Sequence, residues 1–150
     1  MKLNNGIGIG EWSNVTQKLY RSYLDPVADN YGLKRVELDV LLFLANYPQH
    51  NTATEIVDGC GLVKSHVSAA VNRLEDLGYL ERYYYDDNRR TIHLELTEAS
   101  NAPIAEGQRA QKICEQKLFA GLTQEELDYG KTVLQKIGEN IKNAYEITTE

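Results

Sequence analysis

The spacing of apolar residues predicts helices over most of this chain. Between residues 11 and 31, apolar side chains recur every three or four positions, as they do along one face of a helix. Pro26 falls late in this segment, and we expect it to bend or end the first helix. A second helical pattern covers residues 34–45, before a polar break at residues 47–51.

Two further helices follow, separated by a glycine turn. Thr52 and Glu55 stand at the spacing of a capping box, which starts a short helix. The sequence Gly59-Cys60-Gly61 ends that helix, and a longer one is predicted from about Lys64 to Leu77. Gly78 follows it as a C-terminal cap.

The spacing of apolar residues then changes from every three or four positions to every second position. Residues 91–97 alternate as a strand, and residues 80–85 form its predicted partner, with a polar hairpin tip at residues 86–90. The residues expected on the buried face of the return strand are Ile92, Leu94 and Leu96.

The remainder of the chain is predicted to be helical. One helix runs to about residue 120, with Pro103 distorting its first turns. Thr123 and Glu126 form a second capping box that opens the last helix. The apolar positions of that helix are Leu127, Val133, Leu134, Ile137 and Ile141.

This order of elements predicts a mainly α fold with a small β-hairpin wing. A short helix, a turn, a longer amphipathic helix and a hairpin form a winged helix-turn-helix lobe over residues 34–96, flanked by N- and C-terminal helices. Such a lobe places its second helix in the major groove of duplex DNA. The glycine-rich residues 1–10 are expected to be a flexible tail.

The residue types on the lobe suit DNA contacts. Short polar side chains on the exposed face of the second helix can bond base edges, and we assign this role to Ser65, His66, Ser68 and Asn72. Lys64 and Arg73 are expected to meet phosphates. Arg89 and Arg90, at the hairpin tip, are expected to enter the flanking minor groove.

The charge of the chain is less favourable to DNA. The formal net charge is -6, with a pI near 5.1, and residues 64–93 carry five basic and five acidic side chains. Nucleic-acid binding begins with cations that contact phosphates, so the near-neutral charge of the lobe leaves a second interpretation of its function open. In that interpretation the lobe is a winged-helix module that binds protein.

Other classes of function find little support in the sequence. It contains no nucleophile–base set, cofactor fingerprint or metal motif, so we expect neither an enzyme nor a cofactor. No apolar run is long enough for a membrane span, and no signal peptide is recognisable, which predicts a cytoplasmic protein. Cys60 and Cys114 leave a thiol-switched regulator as a further alternative.

Three stretches of the sequence resemble the multiple-antibiotic-resistance regulator (MarR) family. Residues 61–80 are similar to its recognition helix and strand entry, in GLVKSHVS and VNRLEDLGYL. Asn88-Arg89-Arg90, followed by Leu96-Thr97-Glu98, resembles its wing, and residues 122–127 resemble the start of its last helix. The likeness covers nearly all of residues 11–145. It departs at Val63, where the family often has Ser or Thr, and at Asn88, where it usually has Asp.

The resemblance implies how the whole chain works. It implies a single MarR-like domain over residues 1–150, held as a homodimer by helices at residues 11–31 and 97–147. It also implies a ligand-responsive repressor on a pseudo-palindromic operator. In this family a small-molecule effector often binds between the dimer helices and the DNA lobe. The aromatic residues that suit such a pocket, or equally core and dimer packing, are Trp12, Tyr20, Tyr23 and Phe43.

Overall fold

The predicted order of elements is confirmed by a computed structural model, which describes residues 9–85 and 90–147. The helices are α1 (Ile9–Asn30), α2 (Arg35–Asn46), α3 (Ala53–Cys60), α4 (Lys64–Asp76), α5 (Asn101–Leu118) and α6 (Gln124–Ile147). Strands β1 (Leu80–Tyr83) and β2 (His93–Leu96) pair antiparallel between α4 and α5. A single 3-10 turn at Glu98–Ser100 precedes α5. The chain is therefore mainly α with one small hairpin, as its sequence predicts.

The chain divides into two units, residues 1–114 and residues 115–150. The first unit contains the core, in which side chains from α1, α2, α3, α4, both strands and α5 are buried together. Gly107 lets α5 approach α2 closely, because a Cβ added there would lie 2.8 Å from Leu42 Cδ2. The second unit contains the end of α5 and all of α6. None of the helices in the described ranges is long and apolar enough to cross a membrane.

Both predicted capping boxes are present. The Glu55 N–H donates to Thr52 Oγ1 at 3.3 Å, and the Thr52 N–H donates to Glu55 Oε2 at 3.0 Å. The equivalent bonds at the start of α6 join Thr123 and Glu126 at 3.3 and 2.8 Å. Each box satisfies backbone donors that have no partner within the helix, which fixes where α3 and α6 begin.

Helices α3 and α4 are each followed by a glycine in the left-handed conformation. Gly61 has a φ of 61° and caps α3, and Gly78 has a φ of 75° just beyond α4. This region of φ is costly for residues with a Cβ, so glycine at these positions permits both sharp turns. The first turn leads into α4 and the second leads directly into β1.

The hairpin is shorter than the sequence predicted. Leu80 pairs with Leu96 and Tyr83 with His93. Strand β1 therefore ends two residues before the predicted residue 85, and β2 begins two residues after the predicted residue 91. Leu94 is buried and Leu96 is half-buried, but Ile92 is 41% exposed, so its predicted place on the buried face is wrong. Ile92 precedes β2, where the alternation imposed by strand pairing has not begun.

Two of the three prolines lie within helices, which accommodate them in different ways. Helix α1 continues through Pro26 to Asn30, so the proline does not end the helix. Pro103 lies in the first turn of α5, where a backbone N–H has no partner within the helix and proline is tolerated. Of the predicted tail, Ile9 and Gly10 belong to α1, while residues 1–8 and the hairpin tip at 86–89 lie outside the described residues.

Candidate nucleic-acid interface

Helix α4 has one face in the core and the other in solvent. Its buried side chains are Val67, Ala70, Val71 and Leu74, which recur at helical spacing. They pack against buried side chains of α2 and α3, and this packing fixes the rotation of α4 about its own axis. The remaining face is consequently presented outward, next to the hairpin.

The structure brings all four predicted base-reading residues together on this outward face. The exposed side chains of α4 are Lys64, Ser65, His66, Ser68, Ala69, Asn72 and Asp76. Ala69 lies among them although it carries no polar group, and sequence reasoning did not select it. Small side chains here let the helix backbone approach a surface closely, and the hydroxyl, imidazole and amide groups can donate and accept hydrogen bonds. Their use on DNA remains a prediction.

The N-terminus of α4 lacks a side-chain cap. Val63 occupies the N-cap position with φ -74° and ψ 133°, and it makes no side-chain hydrogen bond there. The Val63 carbonyl accepts from the His66 N–H at 2.9 Å and from the Val67 N–H at 3.1 Å, so the helix begins normally. The side chain itself is 59% exposed. The site therefore presents an apolar surface where a polar cap is usual.

Arg73 is directed toward its own lobe. Its Nη1 lies 3.5 Å from Glu37 Oε1, and its Nη2 donates to the Gly32 carbonyl at 3.2 Å. Glu37 is 2% exposed, and its other oxygen accepts from the Lys34 N–H at 2.7 Å. Arg73 thus ties α4 to the start of α2, which is a structural role that the sequence analysis did not foresee. The predicted phosphate contact would use the same guanidinium that already binds Glu37 and the Gly32 carbonyl.

Arg82 is a residue of the interface that sequence reasoning missed. It extends from β1 to α4, where it forms an ion pair with Glu75 and donates through Nη2 to Asn72 Oδ1 at 2.5 Å. The Asn72 amide nitrogen is therefore the end that points away from this bond. Arg82 thus orients Asn72 and connects the hairpin to the exposed face of α4.

A second group that the sequence did not reveal lies at the base of the hairpin. Asn51 donates to the Tyr83 hydroxyl at 2.8 Å, and its Oδ1 lies 2.7 Å from His93 Nδ1. The Tyr83 hydroxyl donates to that of Tyr85 at 3.2 Å, and the Tyr85 and His93 rings meet edge to face at 4.6 Å. The bond to Tyr85, followed by burial, raises the pKa of Tyr83 to about 12. These contacts hold both strands to the loop before α3.

The predicted arginines of the wing tip are only partly within the described residues. Arg89 lies outside them, and Arg90 is exposed just before β2. Of the other lobe cations, Arg73 and Arg82 pair with acids of the same lobe, whereas Lys64 is exposed at the start of α4. The positive charge directed outward by α4 is therefore small.

The four predicted effector residues have separate environments. The Tyr20 hydroxyl accepts from Gln111 Nε2 at 2.5 Å, and the Arg35 guanidinium lies 4.9 Å from the Tyr20 ring. Phe43 packs on Tyr47, with ring centroids 5.2 Å apart, and against Gly59. Trp12 is 51% exposed, and Tyr23 is half-buried.

A polar cleft of about 310 Å³ lies between α1 and α2, and none of these four aromatic residues lines it. Its walls carry Arg21, Asp25, Ala28, Asp29 and Arg35. Arg35 is paired with Asp25 at 3.0 Å and with Asp39 at 2.9 Å. The cleft is therefore largely neutralised by its own charges, although Arg21 gives it a cation on its exposed side.

The cysteines do not form a reactive pair. Burial raises the pKa of Cys60 to about 11, so very little thiolate is present near neutral pH, and Cys114 is 4% exposed. Neither cysteine is in a disulfide. These environments weigh against the thiol-switched alternative. Within residues 9–85 and 90–147, no three His, Cys, Asp or Glu side chains are grouped to hold a metal ion.

Comparisons with known proteins agree with the fold. The model described as MarR family matches residues 31–90. The HTH-type transcriptional regulator PecS of Dickeya dadantii (strain 3937) is 26% identical over 137 residues, which are 90% of this chain and 82% of PecS. The transcriptional repressor MprA of Escherichia coli (strain K12) is 25% identical over 107 residues, covering 71% of this chain. That match spans only 61% of the length of MprA.

A solved structure shares the fold at low sequence identity. It is a protein of Listeria monocytogenes, assigned to the MarR family of transcriptional regulators and crystallised with 26mer DNA. The two chains are 19% identical and superimpose with a TM-score of 0.79, over 96% of this chain and 92% of the other. The family model matches the lobe, and the order of the helices and the hairpin wing is that of the superimposed structure. This chain therefore has a winged-helix fold and is similar to the MarR family of transcriptional regulators.

Proposed function

We propose that this protein binds double-stranded DNA in a sequence-specific way and regulates transcription as a homodimer on a pseudo-palindromic operator. The observation that carries the proposal is the exposed face of α4, where Ser65, His66, Ser68 and Asn72 lie together beside the hairpin. A recognition helix needs this combination of small polar side chains and a rigid inner face. Chromosomal DNA as the partner implies action in the cytoplasm.

Two relatives support the direction of this proposal. The Listeria monocytogenes protein, which has the same fold, was crystallised with DNA. MprA of Escherichia coli is a transcriptional repressor. By analogy we propose that this chain acts as a repressor, because a dimer that occupies an operator blocks access to the DNA beneath it.

The homodimer is supported by apolar surface on the terminal helices. Leu134, Ile137 and Ile141 recur along α6 at helical spacing and are 62%, 47% and 62% exposed. At the other end of the chain, Trp12 and Val15 of α1 are about half exposed. Apolar stripes of this kind mark association surfaces. A second copy of the chain would present the same stripes and cover them.

A small-molecule effector is the least supported part of the proposal. The aromatic residues Trp12, Tyr20, Tyr23 and Phe43 remain candidates for its pocket. The polar cleft between α1 and α2, which these aromatic residues do not line, offers Arg21 as a cation for an acidic ligand. A ligand that binds there would act by biasing the position of α1 relative to α2, which is the first helix of the lobe.

The proposal is tested by selection from a library of randomised DNA duplexes with the purified protein, followed by mobility-shift titration at low salt. We expect one enriched site with two half-sites about one helical turn, roughly 10 bp, apart. Alanine at any true base contact among Ser65, His66, Ser68 and Asn72 should cost about 1–3 kcal/mol per half-site.

One exposed residue outside the proposed DNA and dimer surfaces provides a control for general loss of folding or affinity. Alanine at Gln49 should leave the selected site unchanged, since Gln49 is exposed in the turn before α3 and lies outside α4, the hairpin and the terminal helices. If no duplex is enriched, the result favours the alternative in which the lobe binds protein. The near-neutral charge of the lobe would then explain why it does not bind DNA. If alanine at all four α4 positions leaves the preference intact, α4 is not the reading helix.

A further inference from the structure

The N-cap residue of α4 is exposed without having a capping function. Val63 is 59% exposed, makes no side-chain hydrogen bond and is not among the residues of the core. Serine or threonine at the same backbone conformation would bond a free N–H of the first turn. The chain instead carries a branched apolar side chain, with its methyl groups in solvent, at the end of the helix nearest to a DNA partner in the proposed complex.

Val63 is adjacent to the residues that are proposed to read bases. Ser65 and His66 follow it in the first turn of α4, and all three side chains are exposed. In helix-turn-helix proteins the N-terminal residues of the recognition helix contact base edges. The Val63 side chain has neither a donor nor an acceptor, so it cannot form a hydrogen bond with a phosphate or a base edge. The apolar feature that the major groove offers is the C5 methyl group of thymine.

We propose that Val63 is a specificity-determining residue that packs on a thymine methyl group in each half-site. The inference rests on the proposed function, because it requires α4 to lie in the major groove. It adds a base preference that the polar residues of α4 do not supply. Cytosine and the purines present no methyl at this point, so a Val63 contact favours T·A over the other pairs.

The test uses the duplex recovered in the selection described above. Each thymine is replaced in turn by uracil, which removes the methyl group and leaves every hydrogen-bonding group in place. For the wild-type protein we expect one position per half-site at which the replacement weakens binding about fourfold, and about fifteenfold when both half-sites are changed. The same titrations are repeated with Val63→Ser and Val63→Thr.

The two variants separate the methyl contact from the helix cap. Both introduce a capping hydroxyl, so neither should unfold more readily than the wild type in urea. Serine has no methyl group, and Val63→Ser should bind the thymine and uracil duplexes equally well. Threonine retains one methyl group, and Val63→Thr should keep part of the preference for thymine.

The outcomes are distinct. Loss of the thymine preference in Val63→Ser, with its partial retention in Val63→Thr, supports the inference. Equal sensitivity to uracil in the wild type and Val63→Ser, or no sensitive thymine at all, overturns it while leaving the proposed function intact. If selection enriches no duplex, the proposed function fails and the inference fails with it.

Discussion

At the scale of single residues, Arg73 illustrates how a cation on the recognition helix is used within the protein. Its partner Glu37 is 2% exposed and joins the start of α2 to α4 through this one side chain. A buried carboxylate is stable only when it is paired and hydrogen-bonded. The position of α4 therefore depends on a charge that a sequence reading assigns to DNA.

We predict that Arg73→Ala lowers the free energy of unfolding by about 1–3 kcal/mol, since Glu37 loses the cation that compensates for its burial. Urea unfolding at neutral pH measures this. Lys64→Ala, an exposed cation on the same helix, is the matched control and should stay within about 0.5 kcal/mol of the wild type. An Arg73→Ala variant as stable as this control would contradict the structural role.

At the scale of elements, the start of α3 carries a pH-dependent contribution to stability. Hydrogen bonds from His50 and then from Thr52 lower the pKa of Glu55 from 4.5 to about 2. A carboxyl group whose pKa is lower in the folded state stabilises the fold above its unfolded pKa. This contribution is therefore present above about pH 4.5 and is lost as the pH falls toward 2.

Glu55→Gln should accordingly be less stable than the wild type at pH 7, and the difference should shrink as the pH falls below about 4.5. Unfolding in urea at several pH values gives the comparison. Glu95→Gln, which neutralises an exposed carboxylate of β2, controls for net charge. A difference that is constant with pH would mean that the cap does not depend on the ionised carboxylate.

The wing is the element for which salt dependence is decisive. If Arg89 reaches a phosphate or a narrow minor groove, Arg89→Ala should weaken binding to many sequences alike. The slope of log affinity against log salt for the dimer should then become shallower by about two units, one contact per lobe. Titrations at several salt concentrations measure this slope. Unchanged affinity and slope would identify the tip as a solvated turn.

At the scale of the whole molecule, the proposed homodimer rests on the apolar stripe of α6. We predict a dimer at micromolar concentration, and we predict that Leu134→Glu dissociates it by placing a charge in the interface. Sedimentation measures both. Asn143→Glu adds the same charge to the same helix and should remain dimeric, because Asn143 is exposed and lies on the face of α6 opposite Leu134. A wild-type monomer, or equal behaviour of the two variants, would remove the proposed interface.

The sequence by itself determined the local structure. The capping boxes at Thr52 and Thr123, the glycine after α4 and the switch from helical to alternating spacing each involve residues within about four positions of one another. The energies that specify such features are local, so a pattern in the sequence reveals them. The outward face of α4 follows in the same way from its buried face.

The tertiary structure decided which side chains are engaged. The Arg73–Glu37 pair joins residues 36 positions apart, and the Asn51–His93 contact joins residues 42 apart. No periodicity encodes such pairs, because they arise only when separate elements pack and bring their side chains within hydrogen-bonding distance. Ile92 was misplaced for the related reason that its exposure depends on where pairing with β1 begins. A strand pattern shows alternation, but partners across the sheet determine which positions are covered.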